Sequence, residues 1–398
     1  MINAIMEPVF CREKFLKDCD YADKTLDLAI KAAIAKIDYA IECFGCEMFP
    51  DAASCGNIYA TIPNEYGWHN GFWTGMLWLA YELTGDEKYK KLALGHVPSF
   101  LLRLEERLNI EHHDMGFLYT PSCVAAYKLT GDETAKKTAL MAADNLMSRF
   151  HEKGNFIQAW GDLDSPRDYR LIIDCLLNIP LLYWATGVSG DKKYETVAYK
   201  HFCSSVQNVI REDASAFHTF YFDYDTGAPS HGVTAQGYSD DSAWARGQAW
   251  GIYGSIITYA YKNDADAIEA CKKMLNYYLN RLPEDYVPFW DLIFKNGDEP
   301  RDSSSAAIAV CGILELLKFL PDSDPDKKLY ETSAKLIMES LYENYRTEPV
   351  KESNGLLLHA VYNRRSGSGV DECNLWGDYF YMEALVRMKT NNKWRLYW

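Results

Sequence analysis

Two carboxylates in this chain, Asp114 and Asp174, stand where a structural role and a chemical one compete. His112, His113 and Asp114 are consecutive in "EHHDMGFLYT", directly before an apolar helical pattern. Such a triplet can hold a metal, move protons or cap a helix. Adjacent helical residues point about 100° apart, whereas zinc sites on one helix favour i, i+4 spacing. No HExxH occurs and the 9 histidines form no other tight cluster, so no metal and no cofactor are expected. Asp114 also suits an N-cap for the helix from Gly116. Asp174 differs, because "RLIIDCLLNIPLL" is otherwise apolar and reads as an inner helix. A carboxylate buried there is costly unless paired. Arg170, four residues earlier, is the structural partner. The functional alternative is a carboxyl raised by desolvation and by a nearby Asp, hence a general acid near neutral pH. In "WARGQAW", Trp244, Arg246 and Trp250 fall two and four apart. A guanidinium beside an indole suits an anionic sugar, or it buttresses the core by stacking.

These residues need elements to hold them, and the chain repeats one helical motif. An apolar helix, a turn and an amphipathic helix recur from Asn70, Gly116, Leu171, Ser242 and Ser303. "NLWGDYFYMEALVRM" from Asn374 supplies a sixth first helix. "YADKTLDLAIKAAIAKIDYAIECF" from Tyr21 is a spare amphipathic helix that completes the count. In the "LTGDE" turns, Gly85 or Gly131 ends one helix in the left-handed conformation and Asp86 or Asp132 caps the next. Apolar first helices and Lys/Glu-faced second helices describe inner and outer layers. The expected fold is all-α, an (α/α)6 barrel of six inner and six outer helices, forming one catalytic domain over 1–398. A short β excursion is expected near "FHTFYFDYDTGAPSHG".

All inner helices of such an array run the same way, so their N-termini open on one face. The segments feeding that face are rich in Trp, His, Asp, Arg, Gln and Asn, while the opposite turns carry plain Gly-Asp signals. That asymmetry places a binding site in one mouth of the barrel.

Composition narrows the partners. The 398 residues carry a net charge of −15 and no basic stripe, which argues against nucleic acid. No run of 18 or more apolar residues suggests a membrane span. The N-terminal stretch "MINAIMEPVFCREKFLKD" lacks the apolar core of a signal peptide. With 11 scattered cysteines, free thiols in a reducing cytoplasm are expected. Cys43 and Cys46 form one CxxC without the second pair that a structural zinc needs. The 28 Tyr and 11 Trp supply flat faces with polar handles, suited to sugars. A homodimer stays open.

The blocks "WHNGFWTG", "HHDMGF", "DYRLIIDCLLNIPLL", "FHTFYFD", "HGVTAQGYSDDSAWARGQAWGIYG" and "CNLWGDYFYMEAL" resemble the unsaturated glucuronyl hydrolases of glycoside hydrolase family 88. The resemblance covers nearly the whole chain and implies the same (α/α)6 barrel. It implies an anionic unsaturated oligosaccharide left by polysaccharide lyases as substrate, with hydration of its C4=C5 double bond. It places the acid/base role on Asp174 and that of its essential neighbour on Asp114. It also implies ring contacts from His113, His218, Gln236, Arg246 and Trp250, with an aromatic wall from Trp68 or Trp73; the spacing in "WARGQAW" adds Trp244 as a further sugar-facing candidate. Family members favouring sulfated disaccharides carry an Arg before the mid-chain Gln and a Ser/Ser/Lys loop late in the chain. Here Ala235 precedes Gln236, and "NRRSGSGV" offers Ser366 and Ser368 without the Lys, although Arg364 and Arg365 are at hand. Three rival readings remain: an unsaturated rhamnogalacturonyl hydrolase of the sister barrel family, a non-catalytic helical-barrel sugar-binding protein, and an inverting glycosidase of saturated glucans.

Overall fold

A computed structural model describes residues 3–17 and 23–398. The inner helices are α2 (Asn70–Thr84), a broken helix made of α4 (Met115–Tyr119) and α5 (Ala125–Thr130), α7 (Pro180–Ser189), α9 (Ala245–Lys262), α11 (Ser303–Leu317) and α13 (Leu375–Lys389). Each packs on the next, and α13 returns to α2, closing the ring. The outer helices are α1 (Asp23–Phe44), α3 (Glu87–Glu105), α6 (Glu133–Met147), α8 (Lys192–Asn208), α10 (Ala265–Leu279) and α12 (Lys327–Tyr345). The spare helix takes its expected place, with α1 against α13 and α2. Its pattern starts at Tyr21, and Tyr21 and Ala22 lie outside the described residues.

The turns on the plain face form by local chemistry. Gly85, Gly131 and Gly190 end their helices at φ 71°, 74° and 76°, a region that suits a residue without Cβ. The Asp86, Asp132 and Asp191 side chains then accept backbone N–H groups of α3, α6 and α8 at 2.7–3.0 Å. The fourth turn uses Asn263 and Asp264 in the same way.

Two inner helices depart from the continuous pattern. The second is broken by a π-helical turn at Thr120–Val124, where Pro121 has no N–H to give. The third does not begin at Leu171, because Arg170–Ile172 is a strand and Ile173–Leu177 a 3-10 turn. Pro180 sits at the first position of α7, which fits a helix start and disfavours helix just before it. Asp174 therefore occupies a tight turn ahead of the inner helix rather than the helix itself.

Strands are short. In chain order they are β1 (Phe49–Pro50), β2 (Thr61–Ile62), β3 (Phe150–His151), β4 (Phe156–Ile157), β5 (Arg170–Ile172), β6 (Thr219–Phe222), β7 (Pro229–Val233), β8 (Ala360–Asn363) and β9 (Ser368–Glu372). The expected β excursion is the β6–β7 hairpin, which β5 extends with Ile172 opposite Thr219. The β8–β9 hairpin precedes α13.

Aromatic rings from four inner helices fill the axis. Phe117 lies 4.9 Å from Trp250 and 5.3 Å from Phe72, and Phe380 lies 5.4 Å from Trp250. Trp398 stacks on Phe380 at 5.8 Å. These rings are all but inaccessible to solvent. Beside them Arg387 is satisfied by Glu315 at 2.8 Å and Glu383 at 3.0 Å, and Trp398 Nε1 donates to Glu383 at 2.8 Å. The barrel is closed below its mouth.

Candidate active site

The mouth contains a cavity of about 370 Å³, within the range of small-molecule sites. Trp68, His113, Asp114, Trp160, Asp174, Gln236 and Tyr362 define its walls. It draws on five separate segments: those before α2, α4, α7 and α9, and the β8–β9 hairpin.

Asp114 and Asp174 face this one space from the segments that lead into two neighbouring inner helices. Arg170 pairs with Asp168 at 2.8 Å, which leaves the expected i, i+4 bridge to Asp174 unmade. Asp174 Oδ1 is shielded from solvent and has no hydrogen-bond partner. Burial first, and the Asp114 charge second, push the Asp174 carboxyl up to about 7, against the pull of Arg246. Asp114 goes the other way. Burial raises it, but His113, His112 and the Asn178 amide outweigh burial and hold it below the ordinary carboxylate range. His113 Nε2 and His112 Nδ1 each lie 3.3 Å from an Asp114 oxygen. One carboxyl is thus held ionised while the other keeps a proton near neutrality, the arrangement that separates an acid from an electrostatic partner.

Asp114 stands at the N-cap position of α4, but its side chain makes no capping bond. The cap comes from Asn178, whose Oδ1 accepts the Phe117 N–H at 2.8 Å. Gly116 makes this approach feasible, since a Cβ there would stand 2.4 Å from the Asn178 Cα.

His218 precedes β6. Its Nδ1 accepts from Thr219 Oγ1 at 2.6 Å and from the Ala235 N–H at 3.4 Å. The proton therefore sits on Nε2, which is buried and without a partner. Burial lowers His113 to about 4 and His218 to about 3, so both rings are neutral at pH 7. His113 Nδ1 is likewise unpartnered.

Arg246 is fully enclosed. Its Nη1 donates to Asp302 at 3.3 Å and to the Val361 carbonyl, and its Nη2 to Gln236 Oε1 and the Tyr362 carbonyl, both at 2.8 Å. All four Nη hydrogens are spent internally. The guanidinium lies between Trp244 at 4.3 Å and Trp376 at 4.7 Å, and Trp376 stacks on Trp68 at 5.0 Å. Through Gln236 and this column, Arg246 and Trp244 set the cavity wall without lining it.

The structure separates the two tryptophans left open by the sequence. Trp68 lines the cavity and donates to Tyr362 OH at 3.1 Å. Trp73 is buried edge-on against Phe44 of α1, 5.3 Å away. Trp250 lies beneath the cavity with its Nε1 unpartnered. Ser366 is exposed in the β8–β9 turn and Ser368 opens β9; neither lines the cavity. Arg365 Nη1 donates to the Thr234 carbonyl at 2.9 Å, pinning the hairpin beside Gln236.

Sequence reasoning missed Trp160, Tyr362, Asn178 and Asp302. Trp160 is 40% exposed and rests on the Arg170 guanidinium at 5.0 Å. Asn178 carried a readable signal, a lone amide four residues after Asp174 in an apolar run. Tyr362 had none, because its hairpin reaches the cavity only through tertiary folding.

The model of glycosyl hydrolase family 88 matches residues 48–392. The chain belongs to this family. Like other family 88 proteins it is a glycoside hydrolase, and its resemblances are close over the full length. It is 51% identical over 399 residues to the unsaturated chondroitin disaccharide hydrolase of Streptococcus pyogenes serotype M1, covering 99% of this chain and 98% of the relative. The crystal structure of unsaturated glucuronyl hydrolase from Streptococcus agalactiae superposes with a TM-score of 0.96 at 51% identity, covering 99% of both chains. A point mutant of that enzyme, crystallised with dGlcA-GalNAc6S, gives a TM-score of 0.89 at 47% identity, again over 99% of both chains. Family membership agrees with the helical barrel counted from the sequence. Among the described residues no helix is long and apolar enough to cross a membrane.

Proposed function

We propose that this family 88 hydrolase hydrates the C4=C5 double bond of a non-reducing-end 4,5-unsaturated glucuronic acid in glycosaminoglycan disaccharides. The observation that carries the reading is the unequal pair Asp114 and Asp174 at the base of an aromatic-walled cavity. Protonating a carbon needs a positioned acid still protonated near neutral pH, and Asp174 supplies one. Its proton goes to C4. Positive charge develops at C5, where the Asp114 carboxylate stabilises it. Water adds to C5 and gives its proton to the Asp174 carboxylate, restoring the acid. The hemiketal then collapses, releasing the next sugar and an open-chain keto acid. Because attack is on the double bond, the carboxylate-separation rule of ordinary glycosidases does not apply. His113 Nδ1 and His218 Nε2 are buried polar atoms without partners; His113 lines the cavity, whereas His218 stands behind its wall. Gln236 is held by Arg246, and Trp68 and Trp160 offer flat faces to the two sugars.

The relatives named for chondroitin disaccharides, and the complex with dGlcA-GalNAc6S, support a glycosaminoglycan substrate over rhamnogalacturonan or a saturated glucan. The test is a panel of lyase-generated disaccharides differing only in sulfation and linkage, with unsaturated rhamnogalacturonan disaccharide as the contrast. Loss of the ultraviolet absorbance of the double bond is expected on hyaluronan- or chondroitin-type disaccharides. Turnover of the rhamnogalacturonan disaccharide alone would move the reading to the sister family, and binding without loss of absorbance would make the chain a sugar-binding barrel. The reading takes the chain as one catalytic domain acting without a cofactor in the cytoplasm. The free state of the ten described cysteines suits a reducing compartment. A homodimer is the assembly to test by sedimentation.

A further inference from the structure

Asn178 touches both halves of the carboxylate pair and belongs to neither. Its Nδ2 lies 3.5 Å from Asp114 Oδ1 and 3.2 Å from the Asp174 backbone carbonyl, and its Oδ1 accepts the Phe117 N–H that opens α4. One side chain therefore spends both amide hydrogens and its oxygen on the two segments that carry the pair. It is fully buried, and the Gly116 backbone closes on its Cα. A buried amide this completely used is held in one orientation.

We infer that Asn178 is a positioning residue that keeps the two carboxyls unequal, its amide favouring the ionised form of Asp114 while its carbonyl locks the segment bearing Asp114 to the turn bearing Asp174. The amide donates only to Asp114 at this pair and reaches Asp174 through the main chain, so it favours one anion over the other. Hydrogen bonds to a charged group are about twice as strong as neutral ones. The Asn178 bond is among the interactions that hold Asp114 low, and the Asp114 charge is in turn the second cause of the raised Asp174. The other charged or titratable groups acting on the pair are His112 and His113 ahead of α4, Arg103 from α3, Arg149 after α6, Cys175 beside Asp174, and Arg246 from α9. None of them bridges the pair.

This inference rests on the proposed acid/base reading, and the two fail differently. If wild-type enzyme does not consume the double bond, the reading fails. If it does, the pH profile of kcat/KM tests Asn178. Its acid limb reports a group that must be ionised, here Asp114, and its basic limb one that must be protonated, here Asp174. In Asn178→Ala the acid limb is expected to move up by roughly one pH unit, with kcat down about tenfold. Loss of the cap also lowers the melting temperature, so Asp132→Ala serves as a control. It removes a capping bond of 2.7 Å on the plain face and is expected to lower the melting temperature while leaving both limbs in place. Asn178→Asp keeps size and a cap acceptor but cannot donate when ionised, and it adds a negative charge; both limbs are expected to move up. If Asn178→Ala folds with wild-type limbs, if Asp132→Ala shifts them equally, or if Asn178→Asp leaves the profile unchanged, the assignment is overturned. Asn178→Asp decides the matter if Asn178→Ala does not fold.

Discussion

Asp174 links turnover to stability through a single proton. Its carboxyl stands at about 7 in the fold, against an ordinary value of 3.8. Between these values the folded chain holds a proton that the unfolded chain has released. The stability from this proton is full near pH 4 and is lost as pH rises to about 7, a loss of roughly 4 kcal/mol. Asn at this position imitates the protonated form at every pH. Asp174→Asn is therefore expected to raise the melting temperature over wild type more at pH 8 than at pH 5, while kcat falls about 10²–10⁴-fold. Thermal melts at both pH values, run beside steady-state turnover, check the two halves together. An equal difference at both pH values would show an ordinary carboxyl. The special status of Asp174 was legible because a charge stood in an apolar run. Its escape from Arg170 was not, since Asp168 competes for that guanidinium from only two residues away.

At the scale of elements, the segments before the inner helices decide what each side chain can do. Arg246 was read as a fork for a substrate carboxylate or as a buttress, and its Nη hydrogens are committed to Asp302, Gln236 and two carbonyls of β8. Removing it leaves Asp302 buried without its cation, a loss of about 3–5 kcal/mol for such pairs. It also frees Gln236. Arg246→Ala is thus expected to show both a lower melting temperature and a higher KM, measured by calorimetry and initial rates. A raised KM with unchanged melting would return the guanidinium to direct substrate contact. The plain-face turns could be read directly, because Gly–Asp chemistry acts within three residues. The rich face was legible only as a concentration of residue types. The partner of β5 lies beyond α8, the cap of α4 comes from 61 residues further along, and Tyr362 arrives on a hairpin from near the end of the barrel. Those pairings are decided by the closed ring, which no local pattern encodes.

For the whole molecule, ring closure and axial packing are the same event. Six apolar helices leave a central space, and Phe72, Phe117, Trp250, Phe380 and Trp398 fill it. Trp398 also satisfies Glu383 of the buried Arg387 network. Truncating such a ring costs about 3–5 kcal/mol. Trp398→Ala is expected to lower the melting temperature accordingly and to leave the pH limbs of kcat/KM in place. A shift of those limbs would mean that the axial rings, and not the loops, set the carboxylate pair. The helix count was readable from the sequence because the apolar pattern repeats; the stopper at the axis was not, because its rings come from four distant helices and the end of the chain.

The closed floor has a consequence for traffic. The rings packed at the axis leave the mouth as the side from which the cavity is reached. In the proposed reaction the uronate end is seated against Asp174 and the second sugar lies toward the mouth. On that placement the second sugar departs first and the keto acid last. Departure in that sequence makes the keto acid the product that competes with incoming substrate for the empty site. The rings that seal the barrel thereby fix the order in which a reaction at its other end is unloaded.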